Sequence, residues 1–238
     1  MINFFRKKRK KLADDNKALK YARYAFGEIA LVVVGILIAL SINNWNDHRK
    51  DRKYEKEILQ LINQNLISDS ISLTKELKIA KGANNASERL IEQVNTGIIN
   101  DSLNYLTGQI VTFERFKSTT SAFEVLKAKG IETISDNNLQ LALISYYDEN
   151  LFKVYQSLSD VELSFKTDWM PIIRHDFKDF KWRKYCIPIN SEKFYSNPSN
   201  ITLIKIFKDN RLGTIVNLEL ALEKISEVRK LSKKSQKD

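Results

Sequence analysis

Cysteine is nearly missing from this chain: Cys186 is the only one among 238 residues, so no internal disulfide can staple the fold. Histidine is scarce too, and His48 and His175 with that one thiol are too few soft or imidazole ligands for a structural zinc site. Only seven glycines occur, and none form a phosphate-cradling loop; no paired-histidine metalloprotease motif is present. Three prolines, Pro171, Pro188 and Pro198, all lie in the last third, leaving the first 170 residues without a helix breaker of that kind. These shortages exclude the common catalytic and metal signatures, so the sequence implies no cofactor and assigns no catalytic residue.

What the chain does have is one long apolar run. Tyr24 to Trp45 reads YAFGEIALVVVGILIALSINNW, and between Ile29 and Ile42 only Gly35 and Ser41 interrupt the hydrocarbon side chains. With Tyr24 to Gly27 added the run has about 19 residues, and at 1.5 Å of rise per residue it reaches roughly 28 Å, the thickness of a hydrocarbon core. Tyr21, Tyr24 and Phe26 flank one end and Trp45 the other, as amphipathic aromatics do at membrane interfaces. The sequence therefore divides into a basic cytoplasmic segment 1–23, a transmembrane helix 24–45 and an extracytoplasmic domain 46–238. A cleaved signal peptide is the alternative, with Ala39-Leu40-Ser41 as its site; the long basic lead and the helix-favouring sequence past that point favour a retained span.

Charge sets the expected orientation. Residues 1–23 carry nine lysines and arginines against Asp14 and Asp15, whereas the basic residues just after the span are nearly balanced by Asp47, Asp51, Glu55 and Glu57. The heavier basic load stays in the cytoplasm, which puts the bulk of the chain outside the cell membrane, in the periplasm of a two-membrane cell. The net charge of +10 is confined to the ends, +7 in residues 1–23 and +4 in residues 229–238. No central basic face remains, which argues against nucleic acid as a partner. The expected partners are the lipid bilayer and either an envelope protein or a second copy of the chain.

Two features of the span invite a role. Glu28 is its one ionisable group, about a turn from the cytoplasmic interface, where a carboxylate can reach headgroups or pair with Arg23. Gly35 and Ala39 form a small-xxx-small pair that lets two helices approach closely.

The stretch Gly27 to Asn46, GEIALVVVGILIALSINNWN, following a short opening Met1-Ile2-Asn3-Phe4-Phe5-Arg6, resembles a family of uncharacterised bacterial single-pass membrane proteins catalogued as a domain of unknown function. A second similar stretch is Ser121 to Gly130 followed by Leu139 to Tyr147, with an aromatic, a leucine, a glycine and a tyrosine pair. The resemblance supports a membrane location and implies no activity, cofactor or site residue.

Beyond the span, periodicity predicts an all-α fold in which the transmembrane helix continues into an extracytoplasmic antiparallel bundle. Tyr54, Ile58, Leu61, Ile62, Leu66, Ile71 and Leu77 mark a helix from Asn46 that Gly82 is expected to end; Ser87–Val94, closed by Gly97, and Asp101–Leu106 follow as short helices. Ile110 to Phe116 reads as extended. Thr120 or Ser121 begins a helix with Gly130 at its C-cap. Ser135 and Asp136 cap a long seam, Leu139 to Trp169, that Pro171 should kink or end. Arg174 to Pro198 is the least periodic part, an aromatic-rich excursion with room for a short strand. A last helix after Pro198 buries Ile204, Phe207, Ile215, Leu218, Leu222, Ile225 and Val228, with Gly213 as a weak point.

The function class that fits is a membrane-anchored binding, scaffolding or sensor-like helical module. The alternative is an envelope enzyme built around Asp168, His175, Asp176 and Cys186, where His175 and Cys186 would serve as base and nucleophile. Tyr146, Tyr147 and the aromatics from Phe177 to Tyr195 are either a recognition surface or core.

Overall fold

The computed structural model describes residues 18–235, with side chains from Ala22 onward; the basic run Arg6–Lys11 and the terminal Lys237 and Asp238 lie outside the described residues. The fold is all-α apart from one small hairpin. Two compact units divide between Tyr54 and Glu55.

Helix α1 is a single element, Ala18–Asn95, of 78 residues. In the first unit its large apolar side chains from Phe26 to Trp45 are 47–76% exposed. This stretch is long and apolar enough to cross a membrane.

In the second unit α1 does not stop at Gly82. No atom lies within 4 Å of where a Cβ would sit on that residue. An exposed glycine inside a long helix costs only about 1 kcal/mol, too little to break it. The helix ends at Gly97, whose φ of 74° is the left-handed conformation that glycine adopts freely. The buried face also differs from the expected one: Leu61 and Ile71 are exposed, whereas Glu55 and Asp69 join Ile58, Ile62, Leu66 and Leu73 in the core.

Helix α2 (Ser102–Ile110) leads into a stretch without regular secondary structure, residues 111–120, rather than the strand expected from Ile110 to Phe116, and then into α3 (Ser121–Lys129). Thr120 stands at the N-cap of α3 without a side-chain cap bond, and Gly130 follows the helix with φ 115°. At the next helix the Asp136 carboxylate accepts from the backbone N–H groups of Asn138 and Leu139, the cap expected of it.

The seam from Leu139 is carried by α4 (Asn137–Ile144), α5 (Leu151–Ser164) and α6 (Met170–Asp176), joined without a break by two π-helical turns, Ser145–Asn150 and Phe165–Trp169. Pro171 neither ends nor stops this rod. The preceding π turn has already shifted the hydrogen-bond ladder, with Met170 N–H donating to the Phe165 carbonyl, so the proline falls where the regular i−4 bond is relinquished. The rod ends at Phe177, six residues later.

The excursion contains an antiparallel hairpin, β1 (Phe177–Lys181) with β2 (Tyr185–Pro188), pairing Phe180 with Cys186 and Lys181 with Tyr185. Arg183 makes its turn at φ 59°. The hairpin backbone lies against α2 so closely that a Cβ on Gly108 would sit 2.3 Å from the Tyr185 nitrogen. A short α7 (Ser191–Tyr195) precedes α8 (Pro198–Ser235), which passes through Gly213 unbroken, the penalty of one glycine being only about 1 kcal/mol.

Side-chain pairs fix the directions of the long elements. Along α1 and α8, Glu55 meets Ser235, Asn63 meets Arg229, Lys81 meets Glu219 and Glu88 meets Lys208, so these two helices are antiparallel. Lys153 and Ser157 of α5 meet Asn217 and Thr214, again antiparallel. By contrast Glu55 meets Ser135 and Asp69 meets Tyr146, so α1 and the central rod run the same way. The expected antiparallel packing thus holds for α8 against both α1 and the rod, while α1 and the rod are parallel. Residues 96–136 carry the chain back along the bundle before the rod begins.

Candidate functional site

The polar chemistry of the second unit is concentrated on the buried seam of α1, where Glu55, Asp69 and Glu76 recur at multiples of seven residues and so share one face. Their partners are remote in sequence, and each carboxylate clasps a different part of the returning chain.

Glu55 is 4% exposed and accepts from the backbone N–H and hydroxyl of Ser135, each at 3.0 Å, and from the Ser235 hydroxyl at 3.2 Å. Asp69 is 2% exposed. It accepts from the Ser118 hydroxyl, from the Thr119 backbone N–H at 3.0 Å and from the Tyr146 phenol at 2.7 Å. The Ser118 N–H in turn donates to the Tyr155 oxygen at 2.9 Å. Burial first, and then the Asp69 charge, push the Tyr146 and Tyr147 phenols well above their usual range, so both stay protonated at any physiological pH, and Tyr146 donates its proton to Asp69. The π turn at Ser145–Asn150 lets these consecutive tyrosines both turn inward, and Tyr147 stacks on Phe123 with ring centroids 4.2 Å apart.

The third cluster centres on Arg211 of α8, which has no exposed surface. Its guanidinium donates to the carbonyls of Ile110 at 3.0 Å and Thr112 at 2.6 Å, and its Nε stands 3.6 Å from the equally buried Glu114. Burial pulls the guanidinium below its ordinary value, with Glu114 acting the other way. Glu76 faces the same region and is raised, chiefly by burial. Asp69 and Arg211 therefore pin the irregular segment 111–120 near its two ends.

Most polar atoms of these buried clusters are hydrogen-bonded within the fold, while both carboxylate oxygens of Glu114 and the Arg211 Nε have no hydrogen-bond partner among the described residues. The clusters tie α1, the return segment, the rod and α8 together. Among the described residues no group of three or more His, Cys, Asp or Glu is placed to hold a metal ion.

The structure separates the residues of the alternative enzyme site. His175 is 87% exposed at the end of α6, bonded through Nδ1 to Asp176 at 2.8 Å, and lines a depression of about 270 Å³ with Asn190, Lys193 and Asn200. Cys186 lies in the core with no exposed surface, and burial pushes its thiol up to about 12. A protonated, enclosed thiol is not a nucleophile. Asp168 is taken up by the hydroxyls of Ser164 at 2.6 Å and Thr167 at 3.0 Å. Of the aromatics, Tyr146, Phe177, Phe194 and Tyr195 are core, while Trp182 stays 38% exposed against Phe113 and Phe165, both at 5.1–5.2 Å between centroids.

On the first unit, Gly35 and Ala39 lie exposed on the apolar stretch, with no atom within 4 Å of a Gly35 Cβ, and Glu28 is half-buried. The buried carboxylates were not signalled by the sequence. Their only local trace is that Glu55 and Asp69 stand at positions of the heptad otherwise filled by Ile62, Ala83 and Leu90.

No curated protein and no solved structure matches the chain. The profile of the Family of unknown function (DUF6090) matches residues 28–166, more than half of the 238 residues, and takes in the apolar stretch, the buried carboxylates and the tyrosine pair. The chain belongs to that family.

Proposed function

We propose that this protein is a single-pass membrane protein with its N-terminus in the cytoplasm, whose helical domain outside the membrane binds or scaffolds a partner protein of the cell envelope. The observation that carries the reading is the contrast in cover along α1. From Phe26 to Trp45 every large apolar side chain is about half exposed or more, whereas the core residues of the second unit are at 9% or less. An apolar surface of that length without protein cover is suited to lipid. The Lys/Arg asymmetry across the span supports the orientation. Glu55, Asp69 and the terminal nitrogens of Arg211 are taken up by groups of the domain itself, which supports a recognition role over turnover.

Self-association is a second reading, favoured by the open space at Gly35 and Ala39 on the span. The two readings are told apart by isolating the tagged full chain from its own membranes. A stoichiometric envelope protein that co-purifies supports scaffolding. A homodimer whose span cross-linking falls on Gly35→Ile supports self-association, and a monomer with no partner contradicts both.

A further inference from the structure

A groove opens within the second unit where α1 and α8 lie antiparallel. Ser70 of α1 and Ile225, Ser226, Arg229, Lys230 and Lys233 of α8 border a depression of about 450 Å³. The Asn63 carbonyl oxygen accepts from the Arg229 Nε at 3.0 Å and so orients the guanidinium.

Its α8 wall carries unmatched charge. No acidic residue follows Glu227 as far as Ser235, and Glu227 itself is taken by Lys224 at 2.7 Å. Opposite, α1 has no charged residue from Ile58 to Ser68, and Asp69 is turned to Tyr146 in the core. Among the described residues Arg229, Lys230, Lys233 and Lys234 therefore have no carboxylate within ion-pair distance. Farther along the same helix pair the cations are matched, Lys81 by Glu219 at 2.6 Å and Lys208 by Glu88 at 3.3 Å.

The α1 wall is uncharged and partly apolar where it is exposed. Gln60, Gln64, Ile67 and Ile71 recur at steps of three and four residues and so form one stripe. All four are exposed, Ile67 at 38% and Ile71 at 68%. Ile67 stands about one turn from both Asn63 and Ser70, which places the stripe beside the groove.

We infer that this groove seats an acidic amphipathic helix of the partner protein, with its carboxylates on Lys230, Lys233 and Lys234 and its apolar face on Ile67 and Ile71. The inference deepens the scaffolding reading and rests on it. Each wall supplies a different part of recognition: the cations select negative charge and speed the encounter, and the isoleucines supply apolar area to bury. A small anion or a phosphate backbone would use the first wall alone, whereas an acidic amphipathic helix uses both.

The probe is a fluorescent synthetic peptide of about 18 residues with leucines on one helical face and glutamates beside them. Its binding to the full chain in a neutral detergent is followed by anisotropy. Replacing its glutamates by glutamine, or its leucines by glutamine, is expected to weaken binding by about tenfold in each case. On the protein, Lys230→Gln/Lys233→Gln/Lys234→Gln and Ile67→Gln/Ile71→Gln should each have a similar effect and leave the thermal midpoint unchanged, because these side chains are exposed. Equal binding of the leucine-free peptide would make the groove a plain anion site and overturn the inference, as would a probe that does not bind. The tagged parent and the triple-lysine variant are then isolated from their own membranes. A stoichiometric protein partner held by the parent and lost from the variant is the expected result. A partner held equally by both overturns the groove and leaves scaffolding standing. A parent without any partner overturns the scaffolding reading itself, and the groove's role with it.

Discussion

Asp69 and Tyr146 are joined by a 2.7 Å hydrogen bond across 77 residues of chain, phenol to carboxylate, with both side chains almost wholly closed to solvent. The same carboxylate holds Ser118 and Thr119, so one residue of α1 ties the central rod and the return segment together. Asp69→Ala would take the acceptor from three donors, two of them buried hydroxyls, and should cost about 3 kcal/mol or more. Tyr146→Phe removes one donor and leaves the others paired, so about 1–2 kcal/mol is expected. Urea unfolding of the two variants measures the order; equal costs would show that Ser118 and Thr119 do not depend on Asp69.

Two glycines should respond in opposite directions. Gly108→Ala drives a Cβ into the Tyr185 backbone, 2.3 Å away, and must unseat the hairpin from α2. A loss of about 2 kcal/mol or more is expected, since backbone cannot give way as a flexible side chain does. Gly82→Ala meets open space in mid-helix and should stabilise the protein by about 0.5–1 kcal/mol. Thermal unfolding of both variants is the measurement, and a destabilised Gly82→Ala would mean that the helix is not continuous there.

Cys186 supplies the test of the enzyme reading. With its thiol pushed up to about 12 by burial, the folded chain holds it protonated from pH 7 to pH 9. A thiol-alkylating reagent should therefore leave the native protein unlabelled over that range and label it fully once denaturant is added. Rapid native labelling, with a pH dependence set by His175, would restore the pair as a candidate nucleophile and base.

Much of the fold was legible because it depends on local chemistry. Gly97 and Gly130 end helices as expected, since each adopts a positive φ, and Asp136 caps its helix through its own carboxylate. Gly82 does not end α1 and Pro171 does not end the rod, for opposite reasons. The first carries too small a penalty to stop a long helix, and the second is absorbed by a π turn that no residue pattern announces. The buried face of α1 was half legible. Ile58, Ile62 and Leu66 are buried as read, but Ile71 is 68% exposed and Asp69 takes a core position. A carboxylate can be buried only where its partners are, and those of Asp69 come from residues 118, 119 and 146, distances over which periodicity says nothing. The parallel course of α1 and the central rod was hidden for the same reason, because it follows from the return path through residues 96–136.

The central claim is that the chain is anchored by the Tyr24–Trp45 stretch with its N-terminus inside and its helical domain outside. A phosphatase that is active only outside the cytoplasm and a fluorescent protein that matures only inside it, each fused after Asp238 of the full chain, report the side directly. The account predicts an active phosphatase and a dark fluorescent fusion, both in the membrane fraction. A bright fluorescent fusion with an inactive phosphatase would contradict it.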